Sequence, residues 1–145
     1  MSEKKTFVVG LLLSAVLGCG GDEPYRKVTS PVVGKVTVDG QSPGSAIQIQ
    51  CHPAAAPDST HPTVSLTETD AAGVFAISTY TAGDGIPAGD YSLTFTWQEY
   101  NVISRSYSGK DKLNGRYSDP ATTPIKITVK EGEENDMGTV ALSTK

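Results

Sequence analysis

Cys51 and His52 stand side by side, a thiol and an imidazole that could pair as nucleophile and base, and His61 follows across Asp58. Such a pair works only when the two side chains are within hydrogen-bond reach of each other. The local pattern opposes this. Ile47, Ile49 and Cys51 alternate with Gln48, Gln50 and His52, and a period of two sends neighbouring side chains to opposite faces of a strand. Cys51 is therefore expected inside, as a small hydrophobe, with His52 turned away from it. His52 and His61 are expected to be solvent-exposed loop histidines. With Asp58 between them they fall short of the three or four convergent ligands of a zinc site, so no metal is expected. Serine and threonine are abundant, but they alternate along strands and fill turns, and no glycine loop is built to cradle phosphate. The chain is read as a non-enzyme, with no catalytic residues and no cofactor.

A second cysteine carries a different chemistry. Lys4 and Lys5 give the chain a basic start, Phe7 to Leu17 is an uncharged and mostly apolar run, and the small Gly18 precedes Cys19. That order describes an export signal. The apolar run is too short to cross a bilayer as a helix, which needs ~20 residues. The segment Val16-Leu17-Gly18-Cys19 resembles the bacterial lipobox, from which it departs only at Leu17, where Ala, Ser or Thr is commoner. The resemblance implies a diacylglyceryl thioether on Cys19, cleavage between Gly18 and Cys19, and a further acyl chain (palmitate, for instance) on the new amine. Gly20 in place of Asp implies export onward to the outer membrane, on its periplasmic side or at the cell surface. Residues 1–18 are thus a lipoprotein signal peptide. Residues 19–30 lack apolar periodicity and are expected to be an acylated flexible tether. Residues 31–145 are the folded domain.

The elements of that domain follow from alternation. Tyr91, Leu93, Phe95 and Trp97 alternate with Ser92, Thr94, Thr96 and Gln98, and Ile125, Ile127 and Val129 alternate with Lys126, Thr128 and Lys130. Each such segment has one apolar and one polar side, as an antiparallel sheet covering a core on one face requires. Further strands are expected at Val32–Val38, Thr63–Thr69, Gly73–Thr79 and Met137–Leu142. Turn residues part them, among them Asp39-Gly40 and Asp70-Ala71-Ala72-Gly73. About seven short strands in one unit predict an all-β fold, a single two-sheet sandwich. The net charge of −4 comes without a basic cluster, which argues against a nucleic acid partner.

Three segments in order resemble the carboxypeptidase regulatory-like family, a transthyretin-like, Greek-key β-sandwich. They are Gly34-Lys35-Val36-Thr37-Val38-Asp39-Gly40, Thr69-Asp70-Ala71-Ala72-Gly73-Val74-Phe75, and Ile86-Pro87-Ala88-Gly89-Asp90-Tyr91. Tyr117-Ser118-Asp119-Pro120 and the stretch from Ile125 to Gly132 are similar to the closing region of small secreted members, many of them lipoproteins. The resemblance implies an accessory or scaffold module. A transthyretin-like fold can also host a hydrolase, but the C-terminal Tyr-Arg-Gly-Ser of that enzyme family is absent. This chain ends Leu142-Ser143-Thr144-Lys145.

One connection is long enough to carry function. Between Tyr100 and Thr123 lie Tyr100, Arg105, Tyr107, Lys110, Lys112, Arg116 and Tyr117, and Tyr and Arg are the residue types that dominate binding hot spots. These seven form the candidate binding loop. Trp97 is expected in the core by parity, which leaves Tyr100, Tyr107 and Tyr117 as exposed rings able to stack on sugars. The expected role is a membrane-anchored, non-catalytic interaction or scaffold module of the cell envelope, held by lipid on Cys19. Its partner would be an envelope protein or a glycan. Carbohydrate binding is the first alternative and a hydrolase by fold analogy the second.

Overall fold

Alternation becomes strand at all seven expected segments. The computed structural model describes residues 23–145, so the leader, Gly18 and Cys19 lie outside the described residues. The described chain is all β and runs β1 Val32–Val38, β2 Gln48–Pro53, β3 Ser65–Glu68, β4 Val74–Ala76, β5 Gly89–Thr96, β6 Glu99–Asn101, β7 Ser106–Ser108, β8 Lys126–Val129 and β9 Asn135–Leu142. One sheet has the order β4-β1-β9 and a second the order β3-β2-β5-β8. The two strands beyond the expected seven, β6 and β7, pair with each other as a hairpin.

The two larger sheets enclose the core. Val32, Val36, Phe75, Ile77, Val140 and Leu142 come from the first sheet and its flanks, and Ile47, Ile49, Cys51, Leu93, Phe95 and Val129 from the second. Each set keeps the parity seen in the sequence. One pairing departs from the antiparallel expectation. β9 lies parallel to β1, with a register shift between Val33 and Lys35, so the chain's last strand completes the sheet beside its first. At the opposite edges the two sheets are stitched together where Leu66 and Ser78 exchange backbone hydrogen bonds of 3.0 and 3.2 Å.

Turn chemistry places the strands. Asp39 and Gly40 both take positive φ, 49° and 80°, as a tight Asp-Gly turn requires. Gly73, at φ 90°, ends a turn in which Asp70 Oδ1 accepts the Val74 amide at 2.8 Å. Its carbonyl accepts the Val36 amide at 2.7 Å, and a Cβ there would collide with the Val36 carbonyl oxygen. Only glycine fits this approach of β1 to the β3–β4 turn.

The last residues of the segment expected as tether are fastened to the domain. Ser30 is buried and pairs with Ile86, and the Lys27 amide donates to the Tyr80 hydroxyl at 3.0 Å. The Lys27 ammonium is 2.8 Å from Asp58, and the Tyr25 ring lies 3.9 Å from that of His61.

Candidate binding face

Two carboxamides and two hydroxyls line the side of the four-stranded sheet that faces away from the core. The register sets Gln50 opposite Leu66 on one neighbour and Thr94 on the other, and Gln48 opposite Glu68 and Thr96. Cross-strand partners share a face, so these six side chains share the face opposite to Ile49, Cys51, Leu93 and Phe95. Together they line an open groove of about 180 Å³. Thr94 forms the groove's buried floor, with its hydroxyl 2.9 Å from His52 Nε2.

The sequence carries a mark of this face that period-two reasoning passes over. β3 runs with inverted polarity. Its inward positions are Ser65 and, just beyond the strand, Thr69, whereas Val64 and Leu66 are exposed, Leu66 at 52%. The inward hydroxyls are satisfied: Ser65 Oγ is 2.7 Å from Thr79 Oγ1, and Thr69 Oγ1 accepts the Ile47 amide at 3.0 Å. The inversion leaves Val64 and Leu66 exposed on the same side of the strand.

The β6–β7 hairpin stands at one end of the groove. Tyr100 and Tyr107 are cross-strand partners with ring centroids 5.2 Å apart at 61°. Tyr107 is half-buried and its phenol is pushed up to about 12, first by burial and then by the Glu68 carboxylate beside it. Tyr100 is 52% exposed. Two of the three expected rings thus come together next to Glu68.

The other residues of the candidate loop do not join them. Tyr117, expected exposed, packs against the core, because the chain beyond the hairpin is pulled inward. Asp111 accepts the amides of Trp97, Leu113 and Gly115 at 2.9, 3.0 and 2.9 Å, and Leu113 is completely buried. Lys112 is engaged locally, 3.2 Å from Glu99 and 5.0 Å from the centre of the Trp97 ring. Arg105 occupies the hairpin turn at φ 51°, and Lys110 and Arg116 are exposed. Trp97 is only partly buried at the edge of the core, and its indole N–H donates to Ser45 Oγ at 2.8 Å.

The groups that could do covalent chemistry stay apart. Cys51 is buried and its thiol is pushed up to about 12 by that burial. His52, expected in a loop, belongs to β2 and is half-buried on the opposite face from Cys51. His61 is exposed and stacks on Tyr25. The run Gly40-Gln41-Ser42-Pro43-Gly44 has the spacing of a hydrolase nucleophile elbow, but that elbow needs a strand-to-helix turn. Here Gln41 and Val38 close a tight turn with bonds of 2.8 and 3.0 Å, and strand β2 follows. Among the described residues no group of three or more His, Cys, Asp or Glu converges as metal ligands.

No family model matches the chain, and no curated protein matches it. Among the solved structures that show partial likeness are two. One is a 9R-lipoxygenase from Cyanothece, at 12% identity and a TM-score of 0.41, over 83% of this chain and 18% of that one. The other is an (S)-allantoin synthase, at 17% identity and a TM-score of 0.42, over 81% of this chain and 42% of that one. This chain therefore spans less than half the length of either protein.

Proposed function

We propose that this protein is a non-catalytic binding module of the cell envelope, moored by lipid on Cys19 and presenting the outer face of its four-stranded sheet. The observation that supports binding is the inverted strand β3, which leaves Leu66 in a groove floored by Gln48, Gln50, Thr94 and Thr96 and flanked by paired tyrosines. Mooring is supported by Lys4, Lys5, the apolar run to Leu17, and Gly18-Cys19. Each buried methylene contributes ~0.8 kcal/mol, so two or more acyl chains hold a protein stably on a bilayer.

Because Tyr25, Lys27 and Ser30 are fastened to the domain, the length of chain available between lipid and domain is shorter than the full segment from Cys19 to Ser30. At ~3.5 Å per residue, the six residues from Cys19 to Pro24 reach about 20 Å. The domain sits close to the membrane with its N-terminal end facing it. Membrane fractionation and intact mass spectrometry of the natural protein test this reading. The expected product begins at Cys19, carries acyl chains and stays with membranes, and Cys19→Ser carries no acyl chain and keeps its leader uncleaved. An aqueous protein with a bare Cys19 would refute it.

A further inference from the structure

We infer that the outer groove of the four-stranded sheet binds an uncharged polysaccharide strand, with Gln48, Gln50 and Thr96 bonding its hydroxyls and the Tyr100–Tyr107 pair packing against its rings. The inference rests on the binding-module reading above and gives that module a ligand class.

Four observations carry it. The groove is open and shallow at about 180 Å³, so it suits a polymer lying across it and not a small molecule engulfed by a pocket of 300 Å³ or more, as is usual for such sites. Its polar lining is carboxamide and hydroxyl, groups that donate and accept at once. A sugar hydroxyl also does both. Among the lining residues the only charge is the Glu68 carboxylate, with no lysine or arginine. Beside the tyrosine pair Lys112 is already paired with Glu99, so a polyanion would find no unpaired cation, and a polycation would find one carboxylate already facing Tyr107. Leu66 in the groove and, past Glu68, Tyr107 with its partner Tyr100 add apolar area, which matches a pyranose with its polar rim and apolar C–H faces. A protein partner would instead call for deep pockets that receive aromatic or arginine anchors.

The position of the groove agrees with this. Lys27 and Asp58 share one end of the molecule with Pro87–Tyr91, where β5 begins. β5 then runs eight residues to Thr96, about 27 Å at strand rise. The tyrosine end of the groove lies at the far end of that strand, away from the point where the chain leaves for its anchor.

The test titrates the full-length, detergent-extracted protein with cellohexaose and chitohexaose by calorimetry, with heparin as the charged comparator. A neutral oligosaccharide is expected to bind saturably and heparin not at all. Gln50→Ala and Tyr107→Ala should each weaken binding about tenfold, a loss typical of one removed contact, while Lys126→Ala on β8 leaves it unchanged. Gln50 is exposed, so its truncation does not endanger folding, and Tyr107→Phe separates the ring from the hydroxyl should Tyr107→Ala unfold. No binding of either neutral oligosaccharide, binding that ignores these variants, or preference for heparin would each overturn the inference. Failure here leaves the anchoring result untouched, because fractionation reads Cys19 and not the groove.

Discussion

The Tyr117 ring meets Phe95 edge-on, centroids 6.5 Å apart at 83°, and its hydroxyl accepts the Ser143 amide at 3.0 Å. One side chain from the long connection thereby joins the centre of one sheet to the tail beyond β9. Tyr117 is structural, and two truncations separate its parts. Tyr117→Phe should cost ~1 kcal/mol, the net worth of one partly buried hydrogen bond. Tyr117→Ala should cost ~2–4 kcal/mol, because it also opens a void against Phe95. Urea denaturation of both variants checks this, and equal costs would show that the ring contributes nothing.

Cys51 gives stability a pH dependence of known sign. Its thiol is pushed up to about 12 in the fold from an ordinary 9.0. The folded state keeps the proton that the unfolded state releases, so the contribution is whole below pH 9 and is lost as the pH climbs towards 12. The slope of that loss is about 1.4 kcal/mol per pH unit at most. Urea midpoints at pH 8 and pH 10.5 should therefore fall further apart for the natural protein than for Cys51→Ala. The native thiol should also resist alkylation at pH 8 and react only after unfolding. Rapid native labelling would place it at the surface.

The strands were legible because a two-sheet sandwich needs one wet and one dry side on most of its segments. β1 spans Val32–Val38 in the chain as alternation predicts, and Cys51 points inward by the same parity. The segment from Tyr100 to Thr123 was not legible as structure. Its apolar content is sparse, and what orders it is polar: the Asp111 carboxylate gathers three amides and seats Leu113 in the core. Such capping leaves no period. The outward facing of Leu66 was not legible for a different reason. It obeys alternation but faces outward, since parity names two faces without saying which one meets the other sheet. The β3–β2 register decides it, because Ser65 sits opposite the buried Cys51.

Gly73 is the position where one added carbon does most harm. Its φ of 90° is a strained one for other residues, and its Cβ would strike the Val36 carbonyl. Gly73→Ala should destabilise by ~3 kcal/mol or more, combining backbone strain with a displaced β1–β4 contact. Gly73→Asn tests the split. Asn tolerates positive φ better than Ala, so it would recover stability if strain alone mattered. The expected result is that it does not, because the steric collision with β1 persists. Thermal melts of the two variants read this directly.

Lys27 and Asp58 hold the segment before β1 to the β2–β3 connection, and acid should release it. Asp58 is lowered to about 2, first by its hydrogen bond with the Lys27 ammonium and then by the amides of His61 and Thr60. The contribution of the strap is whole above the ordinary carboxylate value of 3.8 and fades as the pH falls through about 2. Because the pair is exposed to solvent, salt should weaken it as well. Asp58→Asn keeps an oxygen for the two amides but removes the charge, so it isolates the ion pair. Trypsin should then cut after Arg26 and Lys27 several-fold faster, while the melting of the β-sandwich stays nearly where it was. An unchanged cleavage rate would mean that Ser30 pairing with Ile86 and the Tyr25–His61 stack secure the strap without the charge.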